Sequence, residues 1–319
     1  MRGDLSPLRP LLPDSQHDHP KNGMTRFKLF ALPLIFLLLS GCASGGQAGS
    51  GTSSSGGGAY IQNKGSDTLV NVALAWAEKY QQEHQDVRIS VTGGGSGTGI
   101  AALINGTVDI ANASRKITDE ERQAAQKNGH TPVEFIVARD AIGVIVNHAN
   151  PVQFLTLQQI SDIFTGKIQN WSEVGGDERP IVRLSRETNS GTHVYFLESV
   201  IRLGKKDNKD IFSADTLLLP SSEGIISEVR DNPNAIGYDG LGYITPEVKV
   251  IAIATSADQP GVMPSVETVN SKQYPIARDL FMYTSKEPSG AIKAYLDWIF
   301  TPEAQAIVKE LGFVPIKSN

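Results

Sequence analysis

Between an alternating run, Val87-Arg88-Ile89-Ser90-Val91, and a helix-spaced set, Ile100, Ala101, Leu103 and Ile104, the chain carries five glycines in seven residues, Gly93 to Gly99. Strand, glycine loop and helix in that order point to an α/β fold in which ligands sit where strands end and helices begin. Glycine lets the backbone take positive φ and approach a ligand closely. The helix start that follows offers unpaired N–H groups and the positive end of its dipole. By composition the loop is an anion cradle. Two nucleotide readings fail on the residues themselves. A phosphate-binding P-loop needs Lys and then Ser or Thr after the last glycine, where this chain has Ile100 and Ala101. The dinucleotide fingerprint needs a small residue where Ile100 stands, three positions after Gly97. A plain flexible glycine turn is the remaining alternative.

The same switching between periods continues along the chain. Leu69, Val72, Ala73, Trp76 and Tyr80 predict a helix, Val108 to Ala111 a strand, and Asp119 to Lys127 a helix with a polar face. Such alternation predicts an open α/β sheet with helices on both faces. Val133 to Asn147, with Arg139 and Asp140 in its middle, is too long for one ordinary strand, and Tyr274 to Tyr283 is a comparable extended stretch. Two helical patterns follow the second stretch, Ser289 to Phe300 and Pro302 to Leu311. Read as hinge crossings, the two runs divide the folded chain into lobe I, residues 59–146 with 279–319, and lobe II, residues 147–278. Two lobes joined by two crossings make a clamshell. No repeat of fixed period is visible.

The front of the chain reads as an address. Arg26 and Lys28 precede an apolar run, Leu29 to Leu39, too short to span a bilayer comfortably, and Leu39-Ser40-Gly41-Cys42 closes it. This closing motif resembles a bacterial lipobox, which implies cleavage before Cys42 and its acylation. Residues 1–41 are then a leader and lipoprotein signal peptide. Residues 1–23 are unlike any signal, so Met24 is a second candidate start. Cys42 is the sole cysteine, so no intrachain disulfide can form. Residues 42–58, nearly all Gly, Ser and Ala, cannot bury apolar surface and predict a flexible tether. The expected location is the periplasm or cell surface, with the protein held at the membrane by its lipid.

A net charge of −5 without basic blocks argues against a nucleic-acid partner. The histidines, at positions 17, 19, 84, 130, 148 and 193, lack ligand spacing, so no metal site is expected, and nothing points to a cofactor. Gly95-Ser96-Gly97 is not set in a nucleophile elbow, and no enzyme is expected. His193 is expected on an exposed helix face, Asp109 in a structural role, and Trp76, Trp171 and Trp298 in packing.

Three further segments are of the cradle's kind: Gly65-Ser66-Asp67-Thr68, Ala113-Ser114-Arg115, and Ser185 through Arg186, Ser190 and Gly191 to Thr192. Taken singly, each is explained by helix capping. Together their hydroxyls, amides and one arginine meet the needs of a tetrahedral oxyanion in a dry site, with many convergent donors and few full charges.

These segments, with Val108-Asp109-Ile110, Asn170-Trp171-Ser172-Glu173-Val174-Gly175-Gly176 and Ala235-Ile236-Gly237-Tyr238, resemble the substrate-binding proteins of bacterial phosphate ABC transporters. The resemblance runs in order through residues 60 to 316. It implies a periplasmic-binding-protein-like clamshell that closes on inorganic phosphate and delivers it to permease subunits. Carried over residue by residue, the ligand set is Ser66, Thr68, Ser96, Gly97, Thr98 and Ser114 from one lobe, and Arg186, Ser190, Gly191 and Thr192 from the other. Many members of this family carry aspartate directly after the serine of the third segment, to accept the proton that phosphate keeps; this chain has Arg115 there. Asp67 is the candidate replacement, with helix capping as its alternative role. Arg115 either adds charge to the site or pairs with an acidic neighbour. If the acceptor is lost, the chain is instead a receptor for sulfate, molybdate or a phosphonate. From other classes, a secreted phosphohydrolase or a phosphate sensor remains open.

Overall fold

The structure, a computed structural model, describes residues 58–316. The expected leader and signal peptide, Cys42 and the expected tether fall in residues 1–57 and lie outside the described residues. The first part of the fold runs β1 (Ala59–Gly65), α1 (Asp67–Glu83), β2 (Val87–Thr92), α2 (Ser96–Ile104), β3 (Ile110–Ala113), α3 (Asp119–Lys127) and β4 (Val133–Val146). The middle follows as β5 (Phe154–Thr156), α4 (Leu157–Phe164), β6 (Val182–Arg186), α5 (Gly191–Phe196), β7 (Leu217–Leu219), α6 (Ser222–Asp231), β8 (Ala235–Gly240), β9 (Lys249–Ala254) and α7 (Val266–Asn270). The chain closes with β10 (Ala277–Thr284), α8 (Gly290–Ile299) and α9 (Pro302–Glu310).

Strand order across the sheet is β2-β1-β3-β10-β4-β8-β6-β7, with β9 paired to β4 and β5. At one end β1 lies parallel to β2 and β3, and at the other β6 lies parallel to β7 and β8. The two crossing strands are antiparallel to their neighbours. Residues Val133 to Ala141 of β4 pair with β10, and Ile142 to Val146 pair with β8. One 14-residue strand therefore belongs to both halves of the molecule, which explains why the run exceeds ordinary strand length. Two cores flank the crossing. One gathers Leu69, Val72, Trp76, Tyr80, Leu280, Tyr295 and Val308, and the other Ile142, Phe164, Trp171, Phe196, Tyr238 and Ile276. The architecture is an α/β clamshell of two lobes, as expected.

α1 shows how local pattern becomes packing. Its buried residues fall three and four apart, and Trp76 Nε1 donates to the Ala304 carbonyl of α9 at 2.8 Å, so the stripe meets the C-terminal helices. α3 has the limits its sequence predicts, because Thr118 and Glu121 form a capping box at its start.

Three expectations are corrected. The third strand is Ile110–Ala113, not Val108 to Ala111, since the Asp109 carboxylate takes the Gln62 N–H at 2.8 Å just before the ladder begins. The second crossing strand starts at Ala277, because Tyr274 is tied to the end of α7 by its N–H to Thr268 and to β4 by its hydroxyl to the Ile142 carbonyl. His193 is buried: its ring stacks 4.5 Å from Phe212, and Nδ1 lies 3.0 Å from Ser185 Oγ. Burial lowers its pKa.

Candidate functional site

Three loop ends of the first lobe meet at one place. Gly65 has φ 146°, and a side chain there would strike the Asn112 carbonyl, so β1 and β3 approach as only glycine permits. Ser66 N–H donates to that carbonyl at 2.9 Å, which sets Ser66 as the N-cap of α1, and its buried hydroxyl meets no partner among the described residues. The cradle turns through Gly94 (φ 110°) and Gly95 (φ 91°), and the Gly95 N–H donates to the Gly65 carbonyl at 3.0 Å. Ser96 opens α2. Its Oγ accepts from Ser114 N–H at 2.9 Å and lies 3.3 Å from Ser114 Oγ. Ser66, Thr68, Ser96 and Ser114 are all buried.

The second lobe supplies the rest from the segment between β6 and α5. Gly97 N–H donates to the Asn189 carbonyl at 3.0 Å, and Asn189 Nδ2 donates to the Gly94 carbonyl at 3.1 Å. Thr68 and Thr192 hydroxyls lie 3.0 Å apart. Gly191 faces both serines, and a Cβ on it would stand 2.5 Å from Ser114 Oγ and nearer still to Ser96 Oγ. Ser190 Oγ accepts the Thr192 N–H at 3.2 Å, capping α5. All eleven sequence-predicted residues are thus drawn to one junction between the lobes. Thr98 differs in that its hydroxyl donates to the Gly94 carbonyl at 2.6 Å, so it braces the cradle.

Charge is concentrated on Arg186, whose side chain is 1% exposed. Its Nη2 donates to Asp67 Oδ2 at 2.7 Å and to the Pro220 carbonyl at 2.9 Å, while Nη1 donates to Ser222 Oγ at 2.8 Å. Asp67 is not a cap. It is the first residue of α1, and its other oxygen accepts the Gly94 N–H at 2.9 Å, so the carboxylate ties the cradle to the arginine of the opposite lobe. Asp239 Oδ2 stands 3.7 Å from Arg186 Nη1. Burial pushes the Asp239 carboxyl up to about 6, against the pull of that guanidinium.

Arg115 turns away from this cluster and grips Glu121 of α3 with both terminal nitrogens, at 2.8 and 2.7 Å. Burial would raise the Glu121 pKa, but the Arg115 fork and the Thr118 cap outweigh it and hold the carboxyl low.

Sequence reasoning missed Asn189, Ser222, Asp239, Tyr243, Arg278 and Asp140. Tyr243 donates its hydroxyl to the Asp67 carbonyl at 2.6 Å. Arg278 donates to Asp140 at 2.9 Å and to Thr192 Oγ1 at 2.9 Å. The signal for the charged members was a charge set inside an extended or apolar run, alone at Asp239 and as an adjacent Arg-Asp pair at Arg139-Asp140 and Arg278-Asp279. A buried cluster of hydroxyl and N–H donors around one guanidinium suits a small oxyanion held by hydrogen bonds.

Residues 50–303 match the family described as the PBP superfamily domain. The chain is 31% identical over 276 residues to the phosphate-binding protein PstS of Pseudomonas aeruginosa, covering 81% of this chain and 84% of that one. It is 30% identical over 302 residues to the phosphate-binding protein PstS of Bacillus subtilis, covering 92% and 95%. Among solved structures, a substrate-binding protein from Clostridium perfringens with bound phosphate superposes with a TM-score of 0.73 at 33% identity, covering 81% of this chain and all of that one. An ABC-type phosphate transport receptor from Vibrio cholerae gives a TM-score of 0.65 at 29% identity, over 80% of this chain. Sequence, fold and the junction between the lobes agree: this chain belongs to the family of phosphate ABC transporter substrate-binding proteins.

Proposed function

We propose that this chain captures inorganic phosphate outside the cytoplasmic membrane, closes on it, and passes it unaltered to an ABC permease. The observation that carries the reading is the junction at which Ser96 and Ser114 of one lobe face Gly191 of the other beside buried Arg186. Ser66, Thr68, Ser96, Ser114, Ser190 and Thr192 donate hydroxyl protons. Thr98 and Gly191 offer backbone N–H groups, Gly97 holds the two lobes together through its N–H to the Asn189 carbonyl, and Arg186 supplies the charge. Binding of this kind holds an anion by oriented donors in a water-poor cleft and needs no covalent step. The two lobes meet within the crossings, β4 pairing with β10 up to Ala141 and with β8 from Ile142, so lobe II begins before residue 147, and hinge closure follows β4 and β10. Cys42, acylated, anchors the mature chain through its Gly/Ser tether.

Asp67 serves as the proton acceptor. A carboxylate has about four lone-pair sites, and Gly94 and Arg186 take two of them. Phosphate keeps a proton at neutral pH and can donate to a remaining site, whereas sulfate meets the carboxylate with repulsion alone. Residues 58–316 fall within one compact unit, and the test uses the chain that carries them. Calorimetric titration should give one phosphate per chain and sulfate binding weaker by about 10,000-fold or more, the scale of rejection when a site built for a donor meets a ligand without one. Equal affinities would remove the phosphate assignment.

A further inference from the structure

Arg278 lies on β10 where the chain passes between the two cores, with Ile276 packed in one and Leu280 in the other. Its side chain is 3% exposed. Nε and Nη2 donate to Asp140 Oδ2 of β4 at 3.3 and 2.9 Å, and Asp140 Oδ1 accepts the Leu241 N–H at 3.1 Å, so the guanidinium is fixed against the other crossing strand. The same Nη2 reaches Thr68 Oγ1 of the first lobe at 3.3 Å and Thr192 Oγ1 of the second at 2.9 Å. One face of the guanidinium is covered by the Tyr195 ring, 5.5 Å from its centroid. A single arginine therefore touches both hinge strands and one threonine from each lobe.

Guanidinium hydrogen-bond chemistry runs one way. It donates and never accepts, while a threonine hydroxyl has one proton and two lone pairs. Each threonine that accepts from Arg278 must turn its proton elsewhere. Before an anion arrives, one of the two hydroxyls donates to the other across 3.0 Å. An oxyanion offers only acceptors at that point, so both protons then turn to it.

We propose that Arg278 is a positioning residue for the anion, fixing the hydroxyls of Thr68 and Thr192 as paired donors and tying their approach to the hinge. The inference rests on the reading of both threonines as phosphate ligands. It adds a consequence for orientation. An anion oxygen that carries a proton is excluded from the threonine side and faces the Asp67 side of the site.

The test is a double-substitution cycle in the full chain, combining Thr192→Val with Arg278→Lys and reading phosphate affinity by calorimetry. Lysine keeps the charge opposite Asp140 but lacks the two-nitrogen fork. Each single change is expected to weaken phosphate about 10-fold or more, the scale of a hydrogen bond to a charged group. Together they should cost clearly less than the product of the two, because both remove the same oriented proton. An arginine that does not orient the Thr192 proton shares no part of its loss with Thr192→Val, so the two losses would multiply. That result, or an Arg278→Lys chain that binds like the native one, overturns the proposal. If Arg278→Lys does not fold, the pair Arg278→Gln with Asp140→Asn removes both buried charges and carries the same cycle. A native chain that binds no phosphate overturns the functional reading and this inference with it. A native chain that binds phosphate but shows multiplying losses overturns the inference alone.

Discussion

Arg186→Ala should weaken phosphate binding by about 2–5 kcal/mol, roughly thirty- to several-thousand-fold, as measured by calorimetry. The size follows from burial. The guanidinium is 1% exposed and bridges Asp67 of one lobe to Ser222 and Asp239 of the other. Its removal takes away the cation nearest the anion and also leaves two carboxylates without their countercharge. Arg186→Lys should recover only part of the loss, since a lysine cannot hold both sides of the fork.

A pH signature accompanies this change. A buried acid with a raised pKa contributes stability that is full below its unfolded value, near 3.8, and is lost as pH rises through the folded value, about 6 for Asp239. Without Arg186 the folded value climbs further, so the variant should lose more stability than the native chain between pH 5 and pH 8. Urea unfolding at both values reads the difference. Equal losses would mean that Arg186 does not act on Asp239.

Gly191→Ala is the second large effect, and it separates binding from folding. A methyl group there would stand 2.5 Å from Ser114 Oγ and closer to Ser96 Oγ, and both hydroxyls are held in place by their mutual contact and by the Ser114 N–H on Ser96 Oγ. Gly191 opens α5 without a positive φ, so its own backbone accepts alanine. The lobes can no longer close to the same distance, and the expected loss of phosphate affinity is about 5- to 150-fold, from overpacking worth roughly 1–3 kcal/mol. The melting temperature without phosphate should stay within a few degrees of native, while the rise on adding phosphate shrinks in step with affinity. A variant that loses stability and binding together would show a damaged fold. One that keeps full affinity would place the anion away from Gly191.

The parts of this molecule that were legible in the sequence are those set by short-range chemistry. The cradle from Gly93 to Ile100, the polar-faced helix from Asp119 to Lys127 and the length of β4 each depend on residues within one element. The hydroxyl segments at Ser66, Ser114 and Ser190 were readable because loop ends that bind anions draw on a narrow set of residues. What escaped was fixed by strand register. Arg278 meets Asp140 across 138 residues because β10 and β4 run antiparallel with those two positions opposed. Ser222 and Asp239 reach Arg186 only after β6 and β8 pair. His193 lies buried because Phe212, from a distant loop, covers its ring. Asp67 illustrates the same limit. Its position beside Ser66 suggested a cap, but a tertiary partner 119 residues away takes its carboxylate instead.

The most direct measurement is a crystal structure of this protein grown with phosphate. The account predicts one anion within hydrogen-bonding distance of Ser96, Ser114, Gly191, Thr192 and Arg186, with Asp67 against the protonated oxygen and both lobes in contact with it. Phosphate bound to a single lobe, or at a site that leaves Arg186 and the Ser96–Ser114 pair untouched, would contradict it.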